Sequence, residues 1–302
     1  MDAVLYFKAT SKPHRTAVAP HGRYNSAAVP VTRRAALKTF AAGVIGGGAG
    51  LVAHGSAYER LAIQVTERDF IVPGLAPEHA GLRVGFITDL HHSDYLSADD
   101  VARAADLVLA RRPDLIVLGG DYVTRRNRRY MDPCADALAR LTATHGVFAI
   151  LGNHDDDRHM PAALSARGFS VLKDARTTIQ VHGQPLTLVG IRFWTRQIAQ
   201  LAALLQGSSA STILLAHDPR RLVEAAALAV PAVLSGHTHG GQLVLPGIGP
   251  LGGRRFPVIA GSGERDGSRI FVSRGVGTVF VPIRVNCPPE VAILTLRPAA
   301  PA

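Results

Sequence analysis

The chain has 302 residues, 47% of them hydrophobic and 19% charged, with both signs present. That composition supports one large folded domain and excludes a disordered or low-complexity chain. The net charge of +10 is uneven: the first sixty residues hold eight Lys or Arg against two acids, so the remainder is only modestly basic and gives little support for a nucleic-acid partner.

In chain order, the first signal is Thr32-Arg33-Arg34-Ala35-Ala36-Leu37-Lys38, followed by an Ala- and Gly-rich run without charged side chains from Thr39 to Tyr58. A basic segment before an apolar one reads as an export signal. The paired arginines resemble a twin-arginine signal, with Ala36 where an aromatic is usual. Cleavage after Ala57 and retention as a membrane anchor both fit. The opposing reading is a basic tail with a Gly-rich linker. The Gly46–Gly50 cluster has no preceding strand and no Gly-Lys-Ser/Thr, so it is not a nucleotide loop. The expected division is 1–57, an export signal or membrane anchor with a basic extension, and 58–302, the functional domain. That domain is expected in the periplasm or at the cell envelope, with the export machinery as a partner.

From about residue 61 strands and helices alternate. Leu82–Thr88 reads as a strand, Ala98–Arg111 as a helix capped by Ser97 with Asp99 and Asp100 in its first turn, and Leu115–Leu118 as a strand. Pro133–Leu141 is helical, Val147–Leu151 a strand, and Pro161–Arg167 a short helix. Thr177–Val181 and Leu186–Ile191 form a meander around Gly183. Ile198–Leu205 is helical, Ile213–Ala216 a strand, Leu222–Leu228 helical and Val233–Leu234 a short strand. Arg269–Leu296 reads as nearly all strand, whereas Gly240–Ser268, with nine Gly, shows no element. Such alternation followed by short strands implies two facing mixed sheets with helices outside. Cys134 and Cys287 make no framework; one bridge and two free thiols both fit.

Five blocks carry the chemistry: Asp89-Leu90-His91, Gly119-Gly120-Asp121, Gly152-Asn153-His154-Asp155, Ala216-His217-Asp218 and Gly236-His237-Thr238-His239. Each follows an apolar, β-branched run and so falls at the carboxyl end of a strand, where α/β folds place their sites. Carboxylates, imidazoles and an amide without thiolates suit two divalent cations, Mn, Fe or Zn. Two such cations activate water for attack at phosphorus. Any one of these histidines alone reads as an ordinary polar residue; the ordered set does not. Asp218 reads as a cap for the turn after Pro219. His92 fits an exposed or a supporting position equally, and His145, His159 and His182 read as surface residues. Arg254 and Arg255 read as a solvated loop or a phosphate grip, and Trp194 as a rim or cleft residue.

The order Asp-x-His, Gly-Asp, Gly-Asn-His-Asp, His, Gly-His-x-His resembles the calcineurin-like metallophosphoesterase family over about residues 80–297. The resemblance implies a four-layer α/β-β/α sandwich of two mixed sheets. It places one metal on Asp89, His91, Asp121 and His239. It places the other on Asp121, Asn153, His217 and His237, with Asp121 bridging. His154, steadied by Asp155, would stand beside the substrate as the catalytic pair. Thr88–Ser93, Gly236–Gln242, Ser273–Gly277 and Cys287–Glu290 are similar to a bacterial envelope branch linked to phosphodiester hydrolysis, some of whose members act on UDP-2,3-diacylglucosamine in lipid A synthesis. The expectation is a binuclear phosphodiesterase or pyrophosphatase acting on an envelope or lipid-linked phosphate, with membrane association. Leu243, Leu245, Ile248 and Leu251 would supply an apolar groove for an acyl chain. The alternatives are a nuclease on the same scaffold, which calls for a basic groove with stacking aromatics, and a non-catalytic interaction module, which would lack ligands that are present here.

Overall fold

The computed structural model describes residues 33–299. The chain divides into two compact units, Met1–Ile45 and Gly46–Ala302. Helix α1 (Arg33–Ala57) runs across the division, and only its part from Gly46 onward is described further. The basic stretch before Arg33 lies outside the described residues. Among those residues no helix is long and apolar enough to cross a membrane.

The elements follow as β1 (Gln64–Val72), β2 (Arg83–Ile87), α2 (Ala98–Leu109), β3 (Leu115–Leu118), α3 (Met131–Leu138), β4 (Val147–Ala149), α4 (His159–Ala166), β5 (Ser170–Val171), β6 (Ala175–Val181), β7 (Gln184–Ile191), α5 (Ile198–Leu205), β8 (Thr212–Ala216), α6 (Leu222–Ala227), β9 (Ala232–Ser235), β10 (Val244–Leu245), β11 (Gly249–Pro250), β12 (Gly261–Arg265), β13 (Ser268–Val272) and β14 (Glu290–Pro298). One six-stranded sheet has the order β1-β14-β2-β3-β4-β5, and the other β12-β13-β9-β8-β7-β6. Strands β2, β3, β4 and β5 are parallel, as are β7, β8, β9 and β13. Their carboxyl ends therefore point the same way within each sheet.

The alternation of side chains along the strands makes the layers. On β3, Leu115 and Val117 enter the core between the sheets, while Ile116 and Leu118 pack under α2, α3 and α4. On β7, Leu186 and Leu188 face the first sheet, while Val189 and Ile191 pack with Leu201 of α5 and Leu222 of α6. The order helix, sheet, sheet, helix is the expected four-layer sandwich. Ser97 caps α2 by accepting from the backbone N–H of Asp100, whose carboxylate returns a bond to the Ser97 N–H.

Strands β1 and β5 are additions to the sequence reading, and two longer segments differ from it. The tail from Arg269 is not continuous strand: between β13 and β14 lies an irregular stretch. Gly275, Gly277, Pro282, Pro288 and Pro289 interrupt pairing there. The Gly240–Ser268 loop holds the ribbon β10–β11 and the strand β12. β12 turns into β13 through Asp266 and Gly267, both at positive φ, which is the two-residue turn that an Asp-Gly pair favours. Cys134 and Cys287 are both free and buried.

Candidate metal centre

The five motif blocks sit on five strand-end loops, after β2, β3 and β4 of one sheet and β8 and β9 of the other. Backbone bonds hold the loops in register beyond the strands, with Asp89 N–H donating to Gly120 O (2.9 Å) and Gly236 N–H to His217 O (3.1 Å). The turns are tight. Asp89, His91, Asp121, His237 and His239 all have φ near +50 to +70°. That left-handed conformation costs a non-glycine residue roughly 1–3 kcal/mol where the site imposes it. Glycines make room: a Cβ on Gly152 would lie 2.0 Å from Asp121 Oδ1, and one on Gly236 would lie 2.1 Å from Asp89 Oδ2.

The loops bring the seven metal-ligand candidates together. Donor atoms of Asp89, His91 and His239 fall within 4.8 Å of one another, and so do those of Asp121, His217 and His237. Asp121 Oδ2 lies 3.1 Å from His217 Nε2 and 3.5 Å from His91 Nε2, so it faces both groups. His239 Nε2 lies 3.1 Å from His91 Nε2 and 3.3 Å from Asp89 Oδ1. His217 donates Nδ1–H to Gly119 O (2.8 Å), which leaves its Nε2 as the inward atom. That Nε2 and Asn153 Oδ1 are buried without a hydrogen-bond partner. Unpaired buried polar atoms aimed into a nest of carboxylate oxygens and imidazole nitrogens fit two divalent cations.

The electrostatics agree. Burial opposes a charge on His217, yet Asp121 and Asp89 beside it lift its pKa to about 10; the two carboxylates draw positive charge to this spot, a proton that a cation would have to displace for Nε2 to ligate. Burial holds His91 at about 3 and His237 at about 4, so both present neutral lone pairs. Burial alone would raise Asp89 and Asp121; the surrounding histidines, His217 foremost, hold both below the usual carboxylate range.

His154 stands half-buried beside this cluster, its ring edge-on to that of His91 at 4.8 Å. Its Nδ1 accepts from the backbone N–H of Arg125 at 3.0 Å, and its own N–H donates to Asp121 Oδ1 at 2.7 Å. The expectation that Asp155 steadies the His154 ring is corrected. The Asp155 carboxylate instead accepts the backbone N–H groups of Asp121 (2.7 Å), Tyr122 (2.8 Å) and Gly152 (2.9 Å). It pins the β3 and β4 loops to each other; the ring of His154 is set by Arg125.

Sequence reading missed several supports. Arg284 is fully buried, and its guanidinium donates to the carbonyls of Arg274 (2.8 Å), Gly275 (3.1 Å), Gly277 (2.6 Å) and Cys287 (3.0 Å). Nη2 also lies 3.5 Å from His239 Nδ1, so this side chain organises the irregular tail directly behind the site. Phe193 and Phe256 flank His237, with ring centroids at 5.1 and 5.3 Å. No local pattern marks these residues: Phe193 and Phe256 meet His237 from other loops, and Arg284 grips carbonyls of a nearby irregular segment that no periodicity announces. Asp218 does cap the turn after Pro219, accepting from Arg220 N–H. His92 is buried and bonds Leu96 O through Nδ1. Trp194 is 56% exposed against Phe193.

Residues 82–241 match the sequence profile of calcineurin-like phosphoesterases. The chain belongs to the calcineurin-like phosphoesterase family. It is similar to "Phosphodiesterase YaeI" of Escherichia coli strain K12, at 32% identity over 72% of this chain and 83% of that protein. It is 28% identical to "Uncharacterized metallophosphoesterase YkuE" of Bacillus subtilis strain 168, over 72% of this chain and 79% of that one. It is 24% identical to "UDP-2,3-diacylglucosamine pyrophosphatase LpxG" of Chlamydia trachomatis, over 77% of this chain and 88% of that one. Calcineurin-like phosphoesterases use divalent metals, and this chain is accordingly a metal-dependent phosphoester hydrolase.

Proposed function

We propose that the enzyme hydrolyses a phosphodiester or diphosphate whose phosphorus carries an organic group on each side, in an envelope or lipid-linked molecule. The observation that carries this reading is a cavity of about 650 Å³ opening onto His91, Asp121, Asn153 and His154. It extends past the metal-ligand candidates along Gln242, Leu243, Leu251 and Phe256, with Arg255 at its edge. A monoester needs no such room. Leu245 and Ile248 do not line it, so only half of the apolar groove expected from the sequence is there. The relatives' names, a phosphodiesterase and a sugar-nucleotide pyrophosphatase, point the same way.

The residues divide the work. Asp89, His91, Asp121 and His239 would hold one divalent cation, and Asp121, Asn153, His217 and His237 a second. Bound cations would supply an activated water and neutralise phosphoryl charge. Asn153 contributes an oxygen without charge, which keeps the site from repelling a phosphate. His154 accepts a backbone N–H at Nδ1, so its neutral ring carries the proton at Nε2. That N–H is placed to donate to a phosphoryl oxygen as charge builds there.

Full-length protein is tested on bis-p-nitrophenyl phosphate and p-nitrophenyl phosphate with Mn²⁺ and with chelator. Faster diester turnover, abolished by chelator and lowered by roughly 10²-fold or more in Asp121→Asn, is expected. Preference for the monoester would overturn the substrate reading, and a chain that binds no metal would overturn the site. An envelope location rests on Arg33-Arg34 and the run to Tyr58; cell fractionation of Arg33→Lys/Arg34→Lys, with loss of export expected, tests it.

A further inference from the structure

Phe280 is 86% exposed, more than any other large apolar side chain among the described residues. Its φ is +65°, a left-handed conformation that a bulky aromatic adopts only when held there. Gln242 holds it. Its Nε2 donates to Val279 O (3.1 Å) and Val281 O (2.9 Å), and its Oε1 accepts from Val279 N–H (2.9 Å). The fold thus fixes a turn whose outward product is one phenyl ring in water. Val281 beside it is 43% exposed, Leu251 in the same cavity lining is 51% exposed, and Ile248, outside the lining but tied to Arg254, is 60% exposed. Arg254 ties that opposite rim by donating to Pro250 O and Ile248 O.

The flanks of the turn are basic. Arg254 and Arg255 are exposed on one side. On the other side a second hollow joins Phe280 and Val281 to Arg125, Asn127 and Tyr130. There the run Arg125-Arg126-Asn127-Arg128-Arg129 is exposed throughout. The acids nearby are engaged: Asp94 accepts from the Tyr130 hydroxyl, and Asp156 pairs with Arg128 at 3.6 Å. A third feature lies at the foot of the turn. Gly55 O accepts from Arg284 N–H at 3.2 Å, in a contact so close that a Cβ on Gly55 would lie 2.3 Å from Arg284 O. This docks the end of α1, whose stretch from Gly46 to Ala57 has no Lys, Arg, Asp or Glu and exposes Leu51 and Val52.

We infer that the Phe280 turn is an interfacial anchor for an anionic lipid bilayer. Phe280 and Val281 enter the boundary between head groups and acyl chains, while Arg125, Arg126, Arg129 and Arg255 meet lipid phosphates. An apolar tip between two cationic flanks matches the layering of such a surface. A single-stranded nucleic acid would use the same charges but would need stacking platforms. Phe280 and, in the hollow beside it, Tyr95 and Tyr130 are rings on which a base could stack, but the exposed aliphatic groups Val281, Leu251, Ile248 and Leu51 would have no partner there, whereas they partition into lipid. Docking brings the cavity mouth to the membrane, and it holds whichever phosphoester is cleaved.

The test uses full-length Trp194→Phe/Phe280→Trp, in which the reporter at 280 is the sole tryptophan, so that binding through the N-terminal region is not mistaken for insertion. Vesicles of phosphatidylglycerol and phosphatidylcholine are expected to shift its emission to the blue, and lipids brominated in the acyl chains to quench it. Pure phosphatidylcholine should give a weaker response. Each of Arg125→Gln, Arg126→Gln and Arg255→Gln should weaken partitioning by about fivefold. Val281→Trp in the same background carries the same readout if the first variant does not fold. A water-exposed emission on vesicles that bind the chain, or no vesicle binding at all, would overturn the proposal. So would a blue shift that follows protein concentration without lipid, which assigns the turn to a second copy. A shift produced by a single-stranded oligonucleotide and absent with vesicles would also overturn it.

Discussion

His154 and Asp121 sit on neighbouring loops and share a backbone hydrogen bond, yet they have separable tasks. Asp121 faces both histidine groups, so its loss removes donors from each. His154 touches the cluster through its backbone N–H, and that contact survives truncation of its side chain. His154→Ala should therefore keep its full metal content while turnover falls by about 10²–10³-fold, the usual effect of removing one donor to developing charge. Metal analysis beside kinetics checks this; an apo variant would show the imidazole to be a ligand. At this scale the sequence was legible for ligand types and opaque for their supports. Asp155 adjoins His154 in the chain, which suggested a pair, but its carboxylate is claimed by three backbone N–H groups that only the fold brings there. Arg284 had no motif at all, since its partners are carbonyls of an irregular tail.

Strand ends carry the site, and the joints between elements keep those ends aligned. One joint links the entry to β6 with the exit of β7. Asp174 accepts the backbone N–H of Arg192 (3.0 Å), the Thr195 hydroxyl (2.7 Å) and the Arg192 Nε–H (2.5 Å). Burial alone would raise Asp174, but these donors outweigh it and hold its pKa below the ordinary value. A group depressed in the folded state adds stability above its unfolded pKa, near 4, and loses it as pH falls through the folded value. Acid unfolding of wild type should thus steepen below about pH 4. Asp174→Asn should be less stable at neutral pH and show a flatter acid limb; urea midpoints measured from pH 3 to 7 would reveal parallel curves if the joint were inert. Element types were read well where periodicity was local. The missed strands β1, β5, β10, β11 and β12 are short, half-exposed or paired across long separations, so their own residues carry little of the pattern that makes them strands.

The whole molecule works as two sheets clamped face to face, each carrying part of the metal centre. Asp89, Asp121 and Asn153 come from the first sheet, and His217, His237 and His239 from the second. Packing between the sheets therefore sets the spacing of the ligand candidates. Phe86 of β2 is fully buried and meets Phe271 of β13 edge-on, with centroids 6.4 Å apart. Phe86→Ala should cost about 3–5 kcal/mol, and for a domain this size lower Tm by roughly 10 °C. Because the cavity opens between the sheets, metal affinity should fall with it. Calorimetry and metal titration of the variant check both, and an unchanged affinity would show that the loops hold the site without the core.

By itself the sequence determined the reaction class and the architecture. Ordered His, Asp and Asn blocks after apolar runs are local patterns, and both the ligand chemistry and the strand-end placement follow from them. The tertiary structure alone decided what surrounds that chemistry: the carboxylate Asp155 spent on backbone, the guanidinium of Arg284 behind His239, and the Phe280 turn held open by Gln242. Each depends on groups far apart in the chain meeting in a low-dielectric interior, and no window of sequence records such a meeting.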